Sequence, residues 1–434
     1  MMPIVGLILV FGVIILGLIV TPKLKMNFGL FTMVFAFIIG YWVLGLNSGG
    51  ILAYFPARIA VIIILFTYFS GMVQKAGIFT GISDRILYLF RNVPALIPWA
   101  VFIASGAVCG IGAGTLGGMV ICAPIALSLA EVVGFAPILS IIAVWAGAGL
   151  AFWWVQFGTA VHVESIANYV GAEYTQIGLV YILVANIVLD IIILAIAYVV
   201  FKGWKNKVTA ADIKKPEPFT ADQKKVLWVV IAFILLIAVP PMVQLFAPNA
   251  VTGWMASKMD MYILLVIFNL ILTCMKLADC EEVIKNDIPW SVMLMVCGTS
   301  MLIGLLTPFG TLDYLSEALS GVNPSLVIPF LLLLGGILTM FTNGVTVMQV
   351  TAPLIFTVAS AAGVPQIGAY VATYTATQGT SLSPFSTGGA MALMNTTPSM
   401  DRDKIMREQV YCTFAILVIQ ILTGVFGLYS WMLP

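Results

Sequence analysis

Residues Thr342–Ile367 read TNGVTVMQVTAPLIFTVASAAGVPQI, and residues Ala113–Ile138 read AGTLGGMVICAPIALSLAEVVGFAPI. At an offset of 229 the two stretches align without a gap, with six identities in 26 pairs. Pro124 falls on Pro353, Gly134 on Gly363, and the Ala-Pro pair coincides. Apolar segments resemble each other readily, so the weight lies in what surrounds them. Each stretch opens on glycine with hydroxyl or amide side chains nearby, then turns apolar. Polar groups inside lipid are costly unless they are paired or line a cavity. A polar tip that occurs twice marks a cavity built from two related units.

The chain around these tips is built for lipid. Hydrophobic residues make up 62% and charged residues 9%, with a mean hydropathy of +1.11. Soluble domains carry roughly 25% charged residues, so this is a polytopic membrane protein. Apolar runs close to ~20 residues recur from end to end, as helices crossing a ~30 Å hydrocarbon layer require. The weak ten-residue alternation of a membrane barrel is missing. No basic tract suggests nucleic acid, and the six cysteines show no metal-ligand spacing. The first run, from Met2 to Val20, ends in TPKLK rather than a cleavage site and reads as a retained span.

The order of elements then repeats. Spans at Pro3–Val20, Phe28–Leu46 and Ala53–Val73 precede an amphipathic interfacial segment near Gln74–Val93. Pro94–Gly134 holds two short apolar halves around CGIGAGT and reads as a re-entrant hairpin. A broken run, Phe135–Asn168, and a long span, Thr175–Phe201, complete the first half. After a charged linker come spans near Val226–Phe246, Met259–Met275 and Pro289–Leu306, then the amphipathic TLDYLSEALSG. A second hairpin (Pro324–Gly363), a second broken run (Val364–Asn395) and a last span (Val410–Leu433) follow.

Placing the N-terminus outside puts 17 of the 19 Lys and Arg residues in cytoplasmic loops, all but Arg58 and Lys258. The positive-inside rule therefore sets both termini outside and the linker inside. Five crossings per half give the halves opposite orientations, which is an inverted repeat.

About 43 residues after each hairpin tip comes a second polar break, at Gln156–Thr159 (QFGT) and Ser383–Ala390 (SPFSTGGA). Proline and glycine interrupt the helix there. Four such breaks meeting near the midplane would present helix N-termini to an anion and carbonyl and side-chain oxygens to a cation. The alternative is that each break is a small-residue packing seam. Four breaks at symmetric positions favour the site.

The tip TNG, the span IPWSVMLMVCGTSMLIGLL and the break SPFSTGGA resemble the ion transporter superfamily, nearest its malonate/dicarboxylate carriers and the related divalent-anion/sodium symporters. That resemblance spans nearly the whole chain. It implies an all-α fold with a re-entrant hairpin and five spans in each inverted repeat, divided into elevator-type scaffold and transport domains. The scaffold would comprise 1–93 and 226–323, the transport domain 94–203 and 324–434, with 204–225 as cytoplasmic linker. It also implies a homodimer. The family's tip pattern, Ser/Thr-Asn-Thr, contacts a substrate carboxylate and Na⁺. Thr342-Asn343-Gly344 keeps its first two positions and Ala113-Gly114-Thr115 only the last, so the second tip carries the better cation site. Substrate candidates are Thr115, Gln156 and Thr159 in the first half. In the second half they are Thr342, Asn343, Thr346, Ser383, Ser386 and Thr387. Cation candidates are Gly114, Gly158, Thr339, Asn343, Gly344 and Ser386.

Asp190 lies mid-span, one turn from Asn186. An intramembrane carboxyl is a proton or cation site by default; packing glue bonded to Asn186 is the rival. His162, Glu164 and Glu131 have bland readings at helix ends, and Trp153 and Trp154 as interface anchors. The expected function is secondary transport of small organic dianions, malonate or a C4-dicarboxylate, coupled to Na⁺ or H⁺ across a bacterial-type inner membrane. Citrate, tartrate or another organic anion is the alternative, and an anion channel the remoter one. Apart from the coupling ion no cofactor is expected. Neither H-E-x-x-H nor G-x-S-x-G occurs, which speaks against a membrane enzyme.

Overall fold

The computed structural model describes residues 2–110, 114–150, 157–205, 215–247, 249–259, 261–288, 290–311, 314, 317, 323–341, 343–396 and 399–432. Helices and turns make up these residues, with no strand among them. The first half opens with α1 (Met2–Leu24), α2 (Phe28–Ile38, extended by a π turn over Ile39–Val43), a short α3 (Ser48–Leu52) and α4 (Ala57–Lys75). Beyond Lys75 the chain bends by 65° into α5 (Ile78–Leu89), as an interfacial helix would. The limbs α6 (Ile97–Val108) and α7 (Gly114–Val133) pack together as the first hairpin. The broken run appears as α8 (Pro137–Gly149) and α9 (Phe157–Tyr169), followed by α10 (Thr175–Val200).

The second half begins with α11 (Ala221–Phe246), α12 (Ala250–Lys258), α13 (Met261–Cys274), α14 (Cys280–Asn286) and α15 (Trp290–Gly304). Its hairpin limbs are α16 (Pro324–Thr339) and α17 (Gly344–Ala361). The second broken run is α18 (Gln366–Thr380) and α19 (Thr387–Met394), and α20 (Arg402–Val425) ends the order. Most of the amphipathic stretch 311–321 lies outside the described residues.

Helix lengths mark the longest spans, although the limbs α7 and α17 also run to 20 and 18 residues. At 1.5 Å per residue, the 23, 26 and 24 residues of α1, α10 and α20 reach across ~30 Å of hydrocarbon. The 12 residues of α6 and 16 of α16 do not. Side-chain caps fix several starts. Asn27 accepts from Gly29 and Leu30 N–H, and Thr220 with Gln223 forms a capping box. Capped by Asp401, α20 begins eight residues before the expected start of that span, so its charged first turns lie on the same helix as the apolar remainder. The short helices α3, α12 and α14 were not expected.

Contacts between elements come in twos. α6 packs on α8 and α16 on α18, while α7 packs on α8 and α17 on α18. α8 meets α10 and α18 meets α20; α2 meets α15 and α13 meets α4. Each hairpin also reaches the other half, α7 on α19 and α17 on α9. Exchanging the two halves of the chain converts each of these pairs into its twin.

The α2–α15 crossing is a close one. A Cβ built on Gly298 would lie 1.8 Å from the Gly29 carbonyl oxygen, and one on Gly29 would lie 2.0 Å from Leu294 O. Both obstacles are backbone, so only glycine fits, the small-residue device of lipid-embedded helix pairs. Around it Val10, Phe31, Met301 and Phe309 form a compact apolar cluster separate from the larger core of hairpins and broken helices.

Candidate functional site

α17 starts at Gly344 because Asn343 caps it. In extended backbone, Asn343 turns its Oδ1 to the Val345 N–H at 2.8 Å. That bond uses one lone pair of the amide oxygen. The two Nδ2 hydrogens are what the side chain offers an anion, and a cation would have to use the remaining lone pair. Asn343 is buried, as are Thr339 and Thr346 on either side. Thr339 spends its hydroxyl on Gly335 O at 2.9 Å, within its own helix. Thr346 Oγ1 has no partner among the described residues. A methyl group on Gly344 would touch Thr377 at 3.7 Å, so this tip rests on the last turn of α18.

The second break is held by its own polar groups. The Ser386 hydroxyl lies 2.5 Å from Ser381 O and 2.8 Å from Ser383 O, and accepts the Gly389 N–H at 3.2 Å, capping α19. Gln409 on α20 donates to Leu382 O and Gly389 O, both at 3.2 Å. The Ser383 hydroxyl accepts from Phe385 N, and Thr387 stands half-buried in the first turn of α19. Phe341 and Phe385 stack with ring centroids 6.2 Å apart, which brings the second tip beside the second break. The candidates Asn343, Ser383, Ser386 and Thr387 therefore share one region.

First-half candidates occupy matching helix starts. Gly114 and Thr115 open α7, with Thr115 half-buried, while Gly158 and buried Thr159 lie in the first turn of α9. Their link to the second half runs through packed helices, α7 against α19 and α9 against α17. Gln156 and Thr342 lie outside the described residues, as do Trp153 and Trp154.

Asp190 is fully inside the protein, 2% exposed, and its Oδ2 has no partner among the described residues. Asn186 turns its amide to Ile182 O at 2.7 Å, on its own helix, rather than to Asp190. His162 Nδ1 pairs with the Tyr370 hydroxyl at 2.9 Å, and its ring packs on Tyr374. Ser399 donates to the Glu131 carboxylate. Glu164 lines a polar cleft of about 280 Å³ with Asn168 and Gln349 on one wall and Tyr54, Ser300 and Thr307 on the other. That cleft separates α9 and α17 from α15 and the segment before α4.

One residue escaped the sequence reading. Trp145, on α8, donates its indole N–H to Gln378 O at 2.9 Å and to Ser381 Oγ at 3.1 Å. It thereby joins the first broken helix to the second break. The available signal was positional: at the offset of 229 it falls on Tyr374, another aromatic on the helix that precedes a break. Among the described residues no Lys or Arg is buried.

Comparison with known proteins agrees with this architecture. Residues 2–151 match a family described as "Dicarboxylate carrier protein MatC N-terminus". No curated protein matches the chain in sequence. Among solved structures, the YdaH transporter of Alcanivorax borkumensis superposes with a TM-score of 0.56 over 89% of this chain and 90% of that one, at 13% identity. So low an identity speaks for the fold alone. The resemblance to the dicarboxylate carriers is borne out over residues 2–151, which match that family's N-terminal segment, and 89% of the chain shares the fold of a solved transporter.

Proposed function

We propose that the protein is a secondary active transporter of small organic dianions, malonate or a C4-dicarboxylate, coupled to Na⁺ or H⁺. The observation that carries this reading is the second tip beside the second break, two capped helix N-termini in an interior where no Lys or Arg is buried among the described residues. Helix N-termini attract anions, each with about half a charge. Two carboxylates leaving water need more than that to offset their desolvation. A co-bound cation supplies the remainder. In this reading Asn343, Thr346, Ser383, Ser386 and Thr387 face the substrate with Thr115, Gln156, Thr159 and Thr342. Oxygens around Gly114, Gly158, Thr339, Asn343, Gly344 and Ser386 are the candidates for Na⁺.

The paired contacts support an inverted repeat of five spans and a hairpin per half, and the polar cleft supports a seam between scaffold (1–93, 226–323) and transport parts (94–203, 324–434). An elevator movement along that seam, in a homodimer of an inner membrane with both termini outside and 204–225 in the cytoplasm, completes the proposal. Substrate and cation should then bind cooperatively, each raising the other's affinity by the same factor. Calorimetric titration of malonate and succinate with and without Na⁺, at two pH values, is expected to show tighter binding with Na⁺ or at the lower pH. Identical affinity in all four conditions would overturn cation coupling. In proteoliposomes uptake should saturate; a linear, cation-independent flux would favour a channel.

A further inference from the structure

Asp190 has a neutral twin. A Cβ built on Gly149, the last residue of α8, would lie 1.9 Å from Asp190 Oδ2, so the carboxyl is pressed against the end of that helix. A Cβ built on Gly379, next to last in α18, would lie 2.1 Å from Gln420 Nε2. The two pairs are related by one offset of 230, Asp190 to Gln420 and Gly149 to Gly379. In each half, then, the final span drives one polar side chain onto a glycine at the point where the broken helix stops. Gln420 brings a donor there, its Nε2 bonding to Thr375 O at 2.6 Å. Asp190 brings a carboxyl.

Helix C-termini present unpaired carbonyl oxygens and about half a negative charge. An ionised Asp190 would add only acceptors and a full negative charge to such an end. As the carboxylic acid it owns one O–H donor and repeats what the Gln420 amide does. Gln378 contributes a further donor, because its unpartnered Nε2 lies 3.5 Å from the same Gly149 Cβ position. An N–H₂ group facing the pocket disfavours a metal cation there. No ion pair relieves Asp190 among the described residues. Among elements packed against α10, α8 has no ionisable side chain. α18 brings Tyr370 and Tyr374, the latter within electrostatic reach of Asp190. α9 brings His162, Glu164 and Tyr169, the 3-10 turn Ala172–Tyr174 brings Glu173 and Tyr174, and α11 brings Asp222, Lys224 and Lys225 on its exposed first turns.

We propose that Asp190 is a proton-binding site of the carrier: it takes a proton from water onto its carboxylate, closes onto the α8 end as Gln420 does on α18, and releases the proton to water when that contact opens. The chemistry is one O–H bond made and later broken, with no other group changed. This deepens the transport reading by choosing H⁺ at this position, and rests on it for the link to substrate movement.

The test pairs transport with spectroscopy. In proteoliposomes, wild-type uptake should change with pH by up to about tenfold per unit, the limit for one titrating group. Asp190→Asn should lose that dependence, and Gln420→Glu should acquire a second one. Infrared spectra of purified protein in D₂O should show a buried carboxylic-acid C=O band that Asp190→Asn removes. A wild-type pH profile in Asp190→Asn overturns the proposal, as does an infrared spectrum unchanged by the substitution. Should Asp190→Asn not fold, Gln420→Glu decides by gaining, or failing to gain, both the pH dependence and a second acid band. If no dicarboxylate is taken up by the wild type, the transport reading falls, while the infrared comparison still decides whether Asp190 holds a proton.

Discussion

Asn343→Ala is expected to lower dicarboxylate uptake by roughly 10- to 100-fold, the range for losing a hydrogen bond to a charged partner worth ~1.5–3 kcal/mol. The substitution also removes the cap on α17, which costs about 1 kcal/mol of helix stability. Asn343→Asp separates the two effects. Aspartate caps as well as asparagine, so the Val345 bond survives, but its carboxylate faces the anion where N–H donors stood. Asn343→Asp should therefore melt like the wild type and transport as poorly as Asn343→Ala, or worse. Wild-type uptake in either variant would remove Asn343 from the binding site.

The largest stability effect should come from Gly298→Val. Its branched side chain would meet the Gly29 backbone 1.8 Å from the Cβ, and backbone cannot swing aside. Overfilling a packed contact costs ~1–3 kcal/mol and more where nothing can yield, so α2 and α15 must part. Detergent-purified Gly298→Val should show a sharply lowered melting temperature or fail to accumulate. Gly12→Ala, where a Cβ meets nothing within 4 Å, is the matched control and should behave as wild type. Equal melting of Gly298→Val and wild type would mean that the crossing is looser than described.

Hairpins and broken helices were legible because their signals are local: short apolar limbs around a glycine-rich tip, and Pro384, Gly388 and Gly389 inside an apolar run. The start of α20 was not, because Arg402, Lys404 and Arg407 interrupt the apolar pattern while the helix continues through them under the Asp401 cap. The helices α3, α12 and α14 are too short to display a period, although Asn47, Asn249 and Asp279 cap them in the ordinary way. Of the candidate site, Asn343 and Ser386 could be named from sequence, but not that each also caps a helix. Gln420 went unnoticed because an uncharged amide in a greasy span attracts no attention until its glycine partner is seen. Trp145 went unnoticed because its hydrogen bond crosses 233 residues of chain.

That indole bond has a mechanical consequence. Trp145 and Gly149 stand one turn apart on α8, about 6 Å at 1.5 Å per residue. Gln378 meets both: its carbonyl takes the Trp145 N–H, and its side-chain amide lies by Gly149. The last turn of α8 thus works as a strut between the second break and the Asp190 carboxyl. Anything that displaces the break by an ångström must tilt the strut or snap the indole bond, and either event is felt at the carboxyl without a relay of intermediate residues. Coupling in such a molecule would be a matter of stiffness, tuned by the fit of one tryptophan rather than by the field of a distant charge.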